Sequence, residues 1–487
     1  MVTRKSGGIT SALAAVIAAS AVAASGATVT LALPSGTTTN VLALYAGETS
    51  VEIAGPGTVS LNPANTYTGG TTLSGGTLAY FGVSPSGSSP IGTGALNIAS
   101  ADAVVSGTGT IANDISATVN ATFVPEGTLA LSGTNVFSKY LYISNNTFEV
   151  IGGETRISSG LLIAYPAAGT AHFRQSGGSV TMSSGNVQLA YLTGTTSSFT
   201  MTGGSFDADG HNVLVYGNNK GGVVSHSAID ISGDAVMSNI GYLYVHKNNT
   251  TDSSLSANIH DGGRLGFNMA RHSGTYGRRT VSLSVDGGTL ANDYSGSSAS
   301  RATLRDWISS LGVASVKVGP KGATFTTDNG AKAGTAQIAC AITAEAARAG
   351  ETAKGLTFDR GFWEFTVSGN AYEGPTVIKN GASLFLDVNG TIPSTSTVTV
   401  GSGGELCTGG GNKTVTDLVL ERDATLGFGT SSSIPYTLTV TGSLTLPARA
   451  KIALYSANTP TTSALTAVGT YAVLQVPAEY APPRSRP

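Results

Sequence analysis

The chain has 487 residues, of which 65 are glycine, 40% are apolar and only 11% are charged. The apolar share is too high for a disordered chain, and the glycines lack the three-residue period of collagen. A formal net charge of -2 argues against nucleic acid or an anionic membrane as a partner. Short alternating apolar runs separated by glycine turns predict an all-β protein.

The first residues have the pattern of a secretory signal peptide. Arg4 and Lys5 form a basic start, an apolar stretch follows, and small residues then offer two cleavage sites. The signal peptide is predicted to span 1–23 or 1–27, so we expect a secreted protein or one on the outer cell surface. An uncleaved anchor is the alternative, but the apolar stretch is short and rich in Ala and Ser. No membrane span is therefore expected in the mature chain.

A glycine-rich motif occurs twice in the chain. Residues 65–78 read NTYTGGTTLSGGTL, and residues 370–384 read NAYEGPTVIKNGASL. Each copy has a short β-branched run, a Gly-Gly or Gly-Pro turn, a second β run and another turn before a leucine. Such recurrence is typical of repeat proteins whose coils stack on one another. Asn65 and Asn370 are predicted to lie at turns or strand ends, where their side chains satisfy backbone groups.

The two motifs resemble the autotransporter-associated β-strand repeat of bacterial surface and secreted proteins. The resemblance is close over residues 55–135 and 355–446. It implies a right-handed parallel β-helix, or β-solenoid, that serves as a structural or adhesive passenger without catalytic activity. The predicted segments outside the signal peptide are a capping segment at 28–54, a first repeat block at 55–135, a middle solenoid block at 136–298, a helical insertion at 299–315, a second repeat block at 316–477 and a disordered tail at 478–487.

The middle block has a glycine periodicity of its own. β runs are interrupted by turns spaced 25 to 30 residues apart, which is a reasonable length for one coil of a solenoid. This periodicity predicts the same fold independently of the family resemblance. The turns lie at residues 177–178, 203–204, 233–234, 262–263 and 287–288.

Two segments have the spacing or composition of helices. The Ala-rich segment at 336–354 is predicted to be helical. A short lateral helix is predicted near 300–311, because apolar residues recur there at helical spacing: Leu304, Trp307, Ile308 and Leu311.

The two cysteines, Cys340 and Cys407, are predicted to be free and buried. If coils of about 22 residues stack about 4.8 Å apart, these residues lie about 14 Å from each other, beyond the reach of a disulfide. Stability is then expected to come from stacked strands rather than from cross-links.

All six histidines lie in the middle block, which makes this block the place to look for a site. The segment from Asp207 to His211 begins like a calcium loop but lacks the third acidic ligand and the distal Glu. Turn chemistry explains its Asp and Gly residues better, so no metal or cofactor is expected. The histidines are His172, His211, His226, His246, His260 and His272.

A carbohydrate-active enzyme, either a polysaccharide lyase or a hydrolase, is the alternative function. Hydrolysis needs two carboxylates about 5–10 Å apart. Asp230 with Asp234, or Asp207 with Asp209, are the available pairs. The few carboxylates do not follow the coil period, so a chain without catalytic activity is favoured.

Three tyrosines fall at comparable points in successive coils of the middle block. Stacked aromatic residues are commonly structural, but an exposed row of tyrosines would suit a carbohydrate. The expected partner is an extracellular glycan or a cell-surface protein, and the protein is expected to be a monomer. The candidate ligand-binding residues are Tyr191, His211, Tyr216, Tyr244 and His246.

Overall fold

The computed structural model describes residues 26–82, 89–167, 169–192, 194–215, 225–245, 253–272, 279–293, 315–327, 336–345, 351–431, 434–455 and 473–477. Across these ranges the chain consists of β-strands and the turns between them, without an α-helix. None of the described segments is a helix of the length and apolarity needed to cross a membrane. The chain divides into two compact units, residues 1–185 and 186–487.

The strands of the first unit are short and are numbered here in chain order. They are β1 Thr28–Ala32, β2 Thr38–Val41, β3 Ser50–Ala54, β4 Thr58–Leu61, β5 Thr71–Leu73, β6 Thr77–Gly82, β7 Leu96–Ile98, β8 Val104–Ile111, β9 Ile115–Ala117, β10 Ala121–Leu131, β11 Asn135–Phe137, β12 Tyr140–Ile143, β13 Asn146–Val150, β14 Glu154–Ile157, β15 Gly160–Ile163, β16 Thr170–Gln175 and β17 Ser179–Met182.

The strands of the second unit continue the numbering. They are β18 Val187–Leu189, β19 Thr196–Met201, β20 Ser205–Asp207, β21 Val213–Val215, β22 Ser225–Ile231, β23 Val236–Val245, β24 Ser253–His260, β25 Arg264–His272, β26 Arg279–Asp286, β27 Gly288–Asn292, β28 Ser315–Val318, β29 Ala323–Thr327, β30 Ala336–Ile338, β31 Ala341–Ala344, β32 Leu356–Phe365, β33 Thr376–Leu386, β34 Thr397–Val400, β35 Glu405–Thr408, β36 Lys413–Val415, β37 Asp417–Leu420, β38 Thr425–Phe428, β39 Thr430–Ser431, β40 Ile434–Pro435, β41 Leu438–Val440, β42 Leu444–Thr445, β43 Lys451–Leu454 and β44 Leu474–Gln475.

Parallel pairing between one coil and the next builds both units. In the first unit β1 pairs with β3, β3 with β5 and β5 with β7, all in parallel. In the second unit β19 pairs in parallel with β22, β22 with β24 and β24 with β26. Stacked parallel strands of this kind, with each coil contacting its neighbours, form a β-solenoid. The predicted fold class is confirmed.

The core of each unit is a set of apolar columns that run from coil to coil. Alternate strand residues point inward, so strands such as β3 and β4 alternate between buried and partly exposed positions. Burying one such side chain stabilises the fold by roughly 1.5–3 kcal/mol before the entropy of ordering is counted. One column of the first unit joins, in register, Val59, Leu78, Val105, Phe123, Ile143 and Ile163.

The predicted glycine turns of the middle block are confirmed. Four of the five turns lie between two consecutive strands, and at the fifth Gly287 separates β26 from β27, which begins at Gly288. Each also contains a glycine with a positive φ, the backbone conformation that a residue with a Cβ adopts least readily. The glycines are Gly178, Gly204, Gly233, Gly262 and Gly287.

The helix predicted at 336–354 is wrong where the structure describes this segment. Residues Ala336–Ile338 and Ala341–Ala344 form β30 and β31, which pair in parallel with β32 and β28. Pairing with the neighbouring coils outweighs the helix propensity of alanine. The helix predicted near 300–311 lies outside the described residues.

The expectation for the cysteines is confirmed, since Cys340 and Cys407 are both free and buried. Burial raises the pKa of the Cys340 thiol to about 11 and that of Cys407 well above its ordinary value. Both side chains therefore stay protonated at neutral pH and act as small apolar groups.

Candidate functional site

The asparagine of the first glycine-rich motif joins three successive coils. Asn65 is fully buried, and its Oδ1 accepts a hydrogen bond of 2.9 Å from the backbone N–H of Tyr45, 20 residues earlier. Its Nδ2 donates a bond of 2.9 Å to the carbonyl of Pro90, 25 residues later. One amide thus satisfies a buried donor of the preceding coil and a buried acceptor of the following coil. The predicted role of Asn65 is confirmed.

The second motif repeats this arrangement. Asn370 is buried, and its Oδ1 accepts a hydrogen bond of 2.8 Å from the backbone N–H of Ile342, 28 residues earlier. Its Nδ2 donates a bond of 2.8 Å to the carbonyl of Thr391, 21 residues later. Two motifs far apart in the chain therefore form the same bridge between coils, which we call the asparagine clip.

A tyrosine and a threonine complete both copies of the clip. The Tyr67 hydroxyl lies 2.5 Å from Thr71 Oγ1, and the Tyr372 hydroxyl lies 2.6 Å from Thr376 Oγ1. All four side chains are buried, and burial raises the pKa of both tyrosines far above the ordinary value. The pairing allows each phenol to be buried with its hydrogen bond satisfied.

The glycine turn of the first motif packs directly on the turn of the preceding coil. Gly76 has a φ of +70°, and a Cβ there would lie 2.2 Å from the Gly55 carbonyl oxygen and 2.4 Å from that of Gly57. Such distances exclude a side chain unless the backbone shifts. The close approach of successive coils therefore requires a glycine at position 76.

The most prominent group of charged side chains described in the second unit surrounds His260. Its Nε2 lies 2.9 Å from Asp230 Oδ1, and its Nδ1 lies 2.8 Å from Asp261 Oδ2. Asp261 also pairs with the ammonium of Lys321, whose backbone N–H donates to Asp286 Oδ1 at 2.7 Å. We call these five residues the His260 cluster. It lies on the outer surface, and its side chains are partly exposed.

Both ring nitrogens of His260 face carboxylate oxygens, an arrangement suited to the doubly protonated imidazolium. The hydrogen bond that His260 donates to Asp261 raises the pKa of His260, Asp230 adds to this, and partial burial opposes it. Lys321, followed by His260, lowers the pKa of Asp261, and Asp261 in turn raises the pKa of Lys321. The cluster is therefore a chain of ion pairs whose strength solvent reduces.

The His260 cluster predicts a pH-dependent contribution to stability. Because folding raises the pKa of His260, its contribution is complete below the ordinary value of 6.5 and is lost as the pH rises through the folded pKa. Thermal unfolding of wild type and His260→Gln should therefore differ more at pH 5.5 than at pH 9. An equal difference at the two pH values would contradict the proposed ion pairs.

The structure describes three of the five predicted ligand-binding residues. Tyr191, His211 and Tyr244 are half-buried, with Tyr191 just after β18 and His211 just before β21. The register places Leu214, rather than a tyrosine, opposite Tyr244. Tyr216 and His246 lie outside the described residues.

The segment resembling a calcium loop is a turn. Asp207 Oδ1 accepts hydrogen bonds from the backbone N–H of Asp209 at 2.9 Å and from Asn239 Nδ2 at 3.0 Å. Asp209 and Gly210 both have positive φ, as expected at a tight corner. Among the residues that the structure describes, no three His, Cys, Asp or Glu side chains are grouped to hold a metal ion.

A comparison with known families finds a match over the first glycine-rich motif. Residues 54–79 match the family model described as passenger-associated-transport-repeat. The chain carries a passenger-associated-transport repeat. No curated protein and no solved structure matches the chain. The matched range contains Asn65, Tyr67, Thr71 and Gly76, so the passenger repeat coincides with the first asparagine clip and its glycine turn.

The passenger repeat connects the chain to the autotransporter passengers that its motifs resemble. Its second copy at 370–384 is related to the first by geometry as well as by sequence, since both form the clip and the buried Tyr–Thr pair. The repeat therefore defines a coil-stacking unit of the solenoid.

Sequence reasoning missed one group of partly exposed aromatic residues, in the first unit. Tyr140 and Tyr142 alternate along β12 and so point to the same face of the strand. Their ring centroids are 5.8 Å apart, and the Tyr165 ring lies edge-on to Tyr142 at 4.9 Å. We call these three residues the tyrosine cluster. The period-two spacing of Tyr140 and Tyr142 could have predicted that these two side chains share a face. The contribution of Tyr165 could not be predicted in this way, because Tyr165 comes from the following coil.

Proposed function

We propose that the mature chain is a secreted or cell-surface passenger with a structural and adhesive role and no catalytic activity. The passenger-associated-transport repeat supports this proposal most directly, because it is built from the buried residues that stack the coils. The solenoid holds the outer surface of its middle block in place for contact with an extracellular glycan or a cell-surface protein. The predicted ligand-binding residues of the middle block belong to this proposal.

The geometry of the candidate carboxylates supports the absence of catalysis. Asp230 faces the His260 ring, and Asp207 is engaged by two hydrogen bonds of a turn. A glycosidase needs one carboxylate as an acid and another as a base or nucleophile across the scissile bond. Asp207 and Asp230 instead serve as partners of neighbouring protein groups.

Activity and binding assays on the same purified mature chain test the proposal. We expect polysaccharide binding without release of reducing sugars and without unsaturated products. Asp230→Ala and Asp234→Ala are the diagnostic variants, because these carboxylates are the first pair that an enzyme would use. Product formation by the wild type that either substitution abolishes would contradict the passenger proposal and support a carbohydrate-active enzyme.

A further inference from the structure

The tyrosine cluster presents aromatic surface on the outside of the first unit. Tyr140 is 38% exposed, and its ring is nearly parallel to that of Tyr142, with 17° between the ring planes. Tyr142 is flanked by Tyr140 on one side and by the edge-on ring of Tyr165 on another. Tyr142 therefore holds the group together, and Tyr140 offers the accessible ring.

The strand that carries Tyr140 and Tyr142 is paired with both neighbouring coils. Tyr142 is paired in register with Thr122 of the preceding coil and with Leu162 of the following coil, and both of these are buried. Tyr140 is paired with Gly160, so no side chain of the following coil fills the register position beside it. A site on stacked strands keeps its geometry better than one on a loop.

The chemistry of the cluster favours a sugar. A tyrosine ring offers a flat apolar face for the C–H groups of a sugar ring, and its hydroxyl bonds to sugar hydroxyls. Tyrosine also loses little conformational entropy on binding, since it has only two side-chain torsions. The cluster itself has no acidic or basic side chain, and the single exposed lysine that precedes it, Lys139, is too little positive charge for a polyanion.

The size of the cluster distinguishes a sugar from a protein partner. A stable protein interface buries about 800 Å² on each side and involves about 20–30 residues. Three tyrosine rings match a few sugar units better than they match an interface of that size. We propose that the tyrosine cluster binds a neutral glycan, with Tyr140 contacting a sugar ring and Tyr142 and Tyr165 positioning Tyr140. This inference deepens the proposed adhesive function and rests on it.

Binding of the purified mature chain to neutral cello-, manno- and chito-oligosaccharides tests the inference. We expect Tyr140→Ala to weaken binding at least about tenfold, the loss typical of an aromatic hot spot. Tyr140→Phe, which keeps the ring and removes the hydroxyl, should lose less. Phe362→Ala is the matched control, because Phe362 is 39% exposed on a strand of the second unit. Thermal unfolding of each variant checks that it is folded.

The outcomes separate this inference from the broader proposal. Binding that Tyr140→Ala reduces and Phe362→Ala leaves intact supports the glycan site. Wild type that binds none of the neutral glycans, or Tyr140→Ala that binds as wild type does, overturns it. The sugar assignment would also be overturned if Tyr140→Ala lost binding to a cell-surface protein but kept its binding to glycans. In each of these cases the passenger proposal stands. That proposal would be contradicted by different results, namely turnover of a polysaccharide or a location of the protein inside the cell.

Discussion

Arg264→Ala is expected to lower the free energy of unfolding of the second unit by about 3–5 kcal/mol, the usual effect of breaking a buried ion pair. Arg264 Nη1 and Nη2 lie 2.7 and 2.5 Å from the two carboxylate oxygens of Asp293. The Asp293 side chain is only 3% exposed and that of Arg264 15%. The substitution leaves a buried carboxylate without its guanidinium. Urea unfolding followed by circular dichroism measures the effect.

An exposed ion pair in the same unit provides the control. Arg449 Nη2 lies 2.7 Å from Asp423 Oδ1, but the arginine side chain is 69% exposed. Because solvent weakens such a pair, Arg449→Ala should change the free energy of unfolding by at most about 1 kcal/mol. Equal effects of the two substitutions would show that burial does not determine the strength of the Arg264–Asp293 pair.

Asn65→Ala is expected to cost about 2–6 kcal/mol in the free energy of unfolding. The substitution removes both hydrogen bonds of the clip. The buried Tyr45 N–H and the buried Pro90 carbonyl then lose their bonds to the Asn65 amide. Each buried polar group left unpaired costs about 1–3 kcal/mol. Asn65→Asp should also destabilise the unit, because a carboxylate cannot donate to the Pro90 carbonyl. Hydrogen exchange at the Tyr45 amide would report the local opening.

A neighbouring asparagine makes the test specific to the clip. Asn62 also bonds to two backbone groups, through Nδ2 to the Leu42 carbonyl and through Oδ1 to the Ala64 N–H, but it is only half-buried and both bonds are exposed to solvent. Water replaces these bonds in Asn62→Ala, so we expect a loss of at most about 1 kcal/mol. A loss as large as that of Asn65→Ala would mean that the clip has no special role in stacking the coils.

The fold followed from the sequence because its signals are local and repeated. Glycine turns at regular intervals and alternating apolar runs fix which residues face the core, and Asn65 and Asn370 had the residue type that satisfies backbone groups at turns. The prediction of a helix at 336–354 was wrong because the helix propensity of alanine is weak and is overridden when neighbouring strands offer pairing. There, β28 and β32 offer it.

The surface groups could not be predicted in the same way. The His260 cluster joins residues that are 30 and 60 positions apart, and the tyrosine cluster joins neighbouring coils. Their formation depends on the register between coils, and a change of a residue or two in coil length alters which side chains meet. The placement of Leu214 opposite Tyr244 is such a case, since Tyr216 lies only two residues further along the chain.

The location and N-terminal sequence of the protein in the cells that make it test the central claim most directly. An antibody against the purified chain, applied to intact cells and to the culture medium, locates the protein, and N-terminal sequencing of that material identifies its first residue. The passenger account predicts protein outside the cell that begins just after residue 23 or 27 and is accessible to added protease. Protein confined to the cell interior with Met1 still in place would contradict the account.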